Sequence, residues 1–243
     1  LALGVGAKLY PVILLPLFAI VVAARFGWRA ILVPAIAFAG TTCVFLLLML
    51  PNGTTSTSEI DTNAGVMAFL QTWEINDFFF MLVVENLKPN VTSAQVWFSV
   101  FPPDLRQGLI DMTPFDTPFG TARFFTVVLF FIIALWLAFH ARNASPAGVC
   151  EAAFLTIAWF WLLCPTQNPW YWLWALPLLP FVRNPTWYAL SGIVFVYYLR
   201  FWFEYHCAAT DVLGTSYHGT VFFDLVVTWF EFAPWLVCLL LGG

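Results

Sequence analysis

Four groups of polar residues interrupt an otherwise apolar chain, and each is of a type that can do chemistry. Lys8 stands beside Tyr10 and Pro11 near the start. A lysine at the end of an apolar run either snorkels its ammonium to the lipid headgroups or anchors a phosphate at that depth. Glu74 and Asp77 lie in Trp73-Glu74-Ile75-Asn76-Asp77-Phe78-Phe79-Phe80, with Glu85 and Asn86 following. At helical spacing, Glu74, Asp77 and Met81 share one face. Two carboxylates one turn apart among aromatics suit the binding of sugar hydroxyls or the activation of an acceptor. The plainer reading is the solvated face of an interfacial helix. A divalent cation needs more oxygen ligands than this pair supplies, so no metal site is expected.

The third group is Pro165-Thr166-Gln167-Asn168-Pro169-Trp170-Tyr171-Trp172. It reads as a tight turn between two apolar runs, with Trp170 and Tyr171 as interfacial belt residues. Gln167 and Asn168 also offer donors and acceptors beside tryptophan faces, a combination suited to holding a sugar. In the fourth group, Arg200 and Glu204 are spaced to pair along a helix, and His206, a residue type that can exchange protons, follows. A lone histidine there is more often an ordinary surface group. Asp224 and Glu231 lie on one face of the last apolar run, and an acid inside a membrane is a functional candidate by default. Only Glu231 falls deep in that run.

The elements that must position these groups are membrane helices. Hydrophobic residues make up 62% of the chain and charged residues 9%, against roughly 45–50% and 25% in soluble domains. The fold class expected is therefore all-α, a multi-pass transmembrane helix bundle. A crossing needs about 20 apolar residues. Seven runs qualify as candidates: Leu3–Ala24, Ile31–Leu50, Phe124–Phe139, Val149–Cys164, Trp170–Val182, Trp187–Phe203 and Val221–Leu241. Trp170–Val182 is short, and Pro177 and Pro180 are placed to kink it.

Alternating crossings put Arg25, Arg29, Arg142 and Arg183 on one side, which the positive-inside rule assigns to the cytoplasm. Most of the 13 acidic residues then fall on the outer side. The segment 51–123 becomes the outer-face loop region. Interfacial helices are expected there over Ala64–Leu87 and Thr92–Ile110, with Pro102-Pro103 interrupting the second. Residues 1–243 read as a single integral-membrane domain. The chain opens inside an apolar run and without Met, so it reads as the C-terminal part of a longer protein. The 5 cysteines are scattered, form no CxxC pair and are odd in number, which fits small membrane hydrophobes. A charge of −4 suggests no nucleic-acid partner. No GxGxxG or P-loop is present, and no cofactor is expected. Lys8, Glu74, Asp77, Gln167, Asn168, Glu204 and His206 all fall on the same outer side.

The Ala7-Lys8-Leu9-Tyr10-Pro11 segment resembles the lysine–aromatic–proline element of the C-superfamily glycosyltransferases. It is most similar to that of bacterial family 87 and of the glycosylphosphatidylinositol mannosyltransferases. Gln167-Asn168-Pro169-Trp170-Tyr171 is similar to a late outer-face motif of that group. Together these matches cover about a dozen residues. The resemblance implies a membrane enzyme that takes a sugar, often mannose, from a polyprenyl-phosphate donor. The acceptor would be a lipid or a glycan. In a bacterium the chain would sit in the inner membrane, with its site facing the periplasm. Such enzymes place an essential aspartate in the first outer loop, which this sequence lacks, so the catalytic residue is expected upstream.

On this reading Lys8, Tyr10 and Arg123, with Arg106 in support, hold the leaving phosphate. Glu74, Asp77, Gln167, Asn168, Tyr171, Glu204 and His206 orient sugar or acceptor, and Trp170 and Trp172 offer stacking faces. The rival from another class is a transporter or flippase for lipid-linked sugars, in which repeats and mid-membrane charges are usual.

Overall fold

The computed structural model describes residues 10–49, 74–88 and 96–242. Among them the chain is all-helical, without a strand. A 3-10 turn over Tyr10–Leu14 leads into α1 (Leu15–Phe26), and Gly27, at φ 82°, turns the chain into α2 (Leu32–Met49). Then follow α3 (Phe78–Leu87), α4 (Pro103–Asp111), α5 (Pro118–Ala141) and α6 (Pro146–Leu163). A single turn, α7 (Pro169–Trp172), precedes α8 (Thr186–Ile193), α9 (Leu199–His206) and α10 (Gly219–Leu241).

Helix starts follow local chemistry. The Thr117 hydroxyl accepts from the Gly120 N–H at 3.1 Å, and Ser145 accepts from Gly148 at 3.3 Å. Each is an N-cap followed at once by a proline, whose missing N–H is an orphan there anyway.

Three helices, α5, α6 and α10, are long and apolar enough to cross a membrane. Against the expected seven spans, the described residues hold three helices of full length. The runs 10–26 and 28–44 form shorter apolar helices. The Trp170–Val182 run is not one helix. It holds α7 and then a 3-10 stretch over Leu176–Phe181, because Pro177 and Pro180 remove backbone donors. The Trp187–Phe203 run is split by a 3-10 stretch over Val194–Tyr198. In α10 a π turn over Phe223–Val227 interrupts the regular ladder, and Pro234 lies further along.

The core is aromatic. Trp172 packs edge-on against Phe154 and lies 5.1 Å, centroid to centroid, from Trp161; Trp187 packs on Trp235 at 5.2 Å; Phe78 stacks on Phe232 at 5.5 Å. These contacts join α3, α6, α7, α8 and α10 in one cluster. By contrast, Val127, Phe131, Ile132, Leu135 and Trp136 of α5 point outward and exposed. Only lipid or another apolar partner covers such a surface.

The bundle has two polar ends. At one, Arg25 donates to the Ala144 carbonyl at 2.5 Å in the α5–α6 loop, which also carries Arg142. Arg183 pairs with Glu151 of α6 at 3.5 Å. The opposite end, where α5 begins and α6 finishes, carries the carboxylates and amides described below.

The aromatic core makes Trp161 a test of packing. Trp161→Ala removes a buried indole and its hydrogen bond to the Asn168 carbonyl, 3.2 Å away. The expected loss is ~3–5 kcal/mol, seen as a marked fall in the thermal unfolding midpoint in detergent. An exposed control, Trp136→Ala, should change it little.

Candidate functional site

Two prolines shape the segment that follows α6. The residue before a proline avoids the helical region. Cys164, before Pro165, is extended at ψ 142°, and Asn168, before Pro169, at ψ 139°. The stretch 164–168 is therefore strand-like between two helices. The α6 carbonyls left open are covered by Gln167, whose Nε2 donates to the Leu162 oxygen at 2.6 Å. The backbone of 165–167 then finds a partner distant in sequence. Ile75 N–H donates to the Pro165 carbonyl at 2.9 Å, and Gln167 N–H donates to the Ile75 carbonyl at 3.0 Å. This is an isolated parallel bridge, Ile75 to Thr166.

The bridge corrects one expectation and supports the grouping of another. Glu74 and Asp77 do not share a helical face, because α3 begins only at Phe78. Asn76 sits at φ 52°, in the left-handed region, and the chain bends there. Asparagine tolerates that conformation better than most residues. The rest of the expected helix, 64–73, lies outside the described residues. The same bridge brings Glu74 and Asp77 to Gln167 and Asn168. Arg123, in the first turns of α5, stacks over the Phe119 ring and lies within electrostatic reach of Cys164 beside this bridge.

The bridge region is buried and only partly satisfied. Asn76, Asp77, Gln167 and Asn168 are all buried. Among the described residues, both amide atoms of Asn76 lack a partner, as do Asp77 Oδ2, Gln167 Oε1 and Asn168 Oδ1. Buried polar atoms nearly always find partners, and exceptions call for a reason. These atoms lie on two segments held side by side by backbone hydrogen bonds. Between them the segments carry four unused oxygens and one unused amide donor for polar ligands.

Charge gathers beside it. Lys88, at the end of α3, pairs with Glu74 at 3.6 Å and with Glu85. Burial raises the Glu74 carboxyl, partly offset by Lys88. Burial raises the Asp77 carboxyl well above the usual range, and the charges of Glu74 and Asp224 raise it further. Burial opposes the charge on Lys88, yet Glu74 and Glu85 hold its ammonium above the ordinary value. Asp224 is paired with Arg200 through two contacts, at 3.0 and 3.3 Å. Arg200 thus turns to α10 rather than along its own helix to Glu204.

Several candidates stand elsewhere. Glu204 is exposed, and exposed His206 stacks on Trp202 and faces the Trp202 carbonyl at 2.9 Å. Neither joins the bridge. Arg106 is buried and structural, donating to the Lys88 and Phe101 carbonyls at 2.8 Å and to Ser99. Trp172 is core, its indole N–H bound to Ser191, so it presents no face. Trp170 is 45% exposed and Tyr171 half-buried. Tyr10 stacks on Trp174 with centroids 3.8 Å apart and planes within 5°, and Tyr171 lies 4.7 Å from Trp174. Lys8 lies outside the described residues. Asn76 and Lys88 were not singled out by spacing. The only signals were an asparagine in a turn-prone position and a lysine three residues after Glu85.

The state of Asp77 sets a pH dependence. Its carboxyl keeps its proton to higher pH in the folded chain than in the unfolded one. The stability it contributes is therefore present in acid and lost as pH rises from the ordinary aspartate range through the raised value. Asp77→Asn should remove this loss. Its unfolding midpoint in detergent should exceed the wild type's at neutral pH and match it in mild acid.

No protein-family model, curated protein or solved structure matches this chain.

Proposed function

We propose that this chain is a membrane glycosyltransferase that moves a sugar, mannose in the first instance, from a polyprenyl-phosphate donor to a lipid or glycan acceptor. Its site lies at the outer membrane–water boundary, on the periplasmic side in a bacterium. The observation that carries this reading is the bridge-held group of Asp77, Gln167 and Asn168, buried with unused hydrogen-bonding atoms. A sugar presents hydroxyls that both donate and accept. Amides and a protonated carboxyl match both roles without adding negative charge near a phosphate.

Other features fit the same substrate. The exposed face of Trp170 and the row of Tyr10, Trp174 and Tyr171 offer stacking surfaces near the bridge. Lys8 and Arg123 are the cations assigned to the phosphate, where charge builds as it leaves. An apolar groove of about 450 Å³ lies between α1 and α2, lined by Leu15, Phe18, Val22, Pro34 and Phe38. It suits a polyprenyl tail. Neither Glu74 nor Asp77 is assigned as the general base. Glu74 is tied to Lys88, and Asp77 is buried with its carboxyl raised well above the usual range.

The rival, a flippase for lipid-linked sugars, draws on the broken geometry of α10. Transfer assays on the full-length protein in membranes, with radiolabelled polyprenyl-phosphate mannose, separate the two. Asp77→Ala and Gln167→Ala should each lower transfer by roughly tenfold or more. Asp77→Asn should keep much of it, because it preserves a neutral donor and acceptor. Lys8→Ala should lower transfer sharply, and Glu204→Gln should leave it near wild type. Donor that crosses the bilayer intact, with no transfer to any acceptor, contradicts the enzyme and favours the flippase.

A further inference from the structure

The last helix carries a buried acid that the bridge site does not use. Glu231 is 1% exposed, and among the described residues neither carboxyl oxygen has a hydrogen-bond partner. It follows the π turn of α10 and precedes Pro234 by three residues. Facing it is Asn76, equally buried, with both amide atoms unused. The Asn76 amide approaches the Glu231 carboxyl closely, short of well-formed hydrogen-bond geometry. Trp235, one turn further along the same face, is buried with its indole N–H unused.

Charges on the surrounding elements are committed elsewhere. On α3, Glu85 and Glu74 engage Lys88. Within α10, Asp224 engages Arg200 of α9. On α6, Glu151 pairs with Arg183 at the far end, and Cys164 stands at the near one. On α8 the Tyr188 hydroxyl donates to the Leu179 carbonyl. On the 74–77 segment Asp77 lies toward Glu74 and Asp224. None of these places a positive charge beside Glu231.

A bare carboxylate buried without a counter-charge is too costly to persist. We propose that Glu231 and Asn76, with Trp235 one turn further along, form an intramembrane site for one monovalent cation, a proton or a sodium ion. The carboxylate supplies the charge. The Asn76 oxygen adds a neutral ligand for sodium, or accepts from the protonated acid. The Trp235 N–H donates to the second carboxyl oxygen. Because Asn76 is also the bend of the bridge, filling this site steadies the segment that carries Asp77.

The test uses the full chain in detergent and a membrane-permeant carbodiimide, which reacts with protonated buried carboxyls. Peptide mass spectrometry reads the adduct at Glu231. Labelling should fall as pH rises. Suppression by sodium chloride but not potassium chloride at fixed pH identifies the ion as sodium. Dependence on pH alone identifies a proton. A second measurement covers poor reagent access. In an Asp77→Asn background, which removes the other buried acid of the bridge region, the unfolding midpoint should depend on pH or sodium. Adding Glu231→Gln should markedly reduce that dependence. Labelling indifferent to both pH and sodium overturns the proposal, as does a Glu231→Gln chain that keeps its parent's dependence.

Discussion

A polar group buried in an apolar bundle must find a partner, and in this chain that requirement is met by joining two distant segments. The extended stretch 164–168 has no helical neighbour for its backbone, because prolines at 165 and 169 forbid continuation. Its hydrogen bonds go instead to Ile75. That pairing draws Glu74, Asn76 and Asp77 inward and leaves the amides of 167 and 168 beside them. Two groups of charges lie beside that placement, Lys88 with Glu74 and Glu85, and Arg200 with Asp224. Aromatic packing of Phe78 on Phe232, and of Trp161 behind Asn168, fixes the bridge to the core.

The spans were legible where apolar residues run on without a breaker. α5, α6 and α10 coincide with long runs, and the caps at Thr117 and Ser145 come just before prolines. Where prolines cluster, apolarity alone misleads. Residues 170–182 are as hydrophobic as a span yet form one turn and a 3-10 stretch. The split at Val194–Tyr198 and the π turn at Phe223–Val227 have no proline within them, and no local signal marks them.

The candidate site was legible in its members and not in its geometry. Glu74, Asp77, Gln167 and Asn168 stand out as polar residues in apolar surroundings. Helical spacing, however, assigned the first two a shared face that the bend at Asn76 removes. Backbone pairing across some ninety residues of sequence leaves no periodic trace. The Arg200–Asp224 pair was hidden for the same reason, whereas Arg200–Glu204 was the contact that local spacing could see. Residues that the shared outer side grouped with the site, Glu204 and His206, are exposed, and α9 buries none of its residues.

The central claim is that residues 75 and 166 are neighbours in the membrane-embedded protein. Oxidative cross-linking tests it most directly. In a chain with the native cysteines replaced, Ile75→Cys and Thr166→Cys should form an intramolecular disulfide in native membranes, since bridged partners lie within reach of that bond. A pair moved off the bridge, with cysteine at exposed Glu204 in place of 166, should not. Absence of the 75–166 cross-link under conditions that oxidise both thiols to external partners would contradict the bridge, and with it the convergence of Asp77, Gln167 and Asn168.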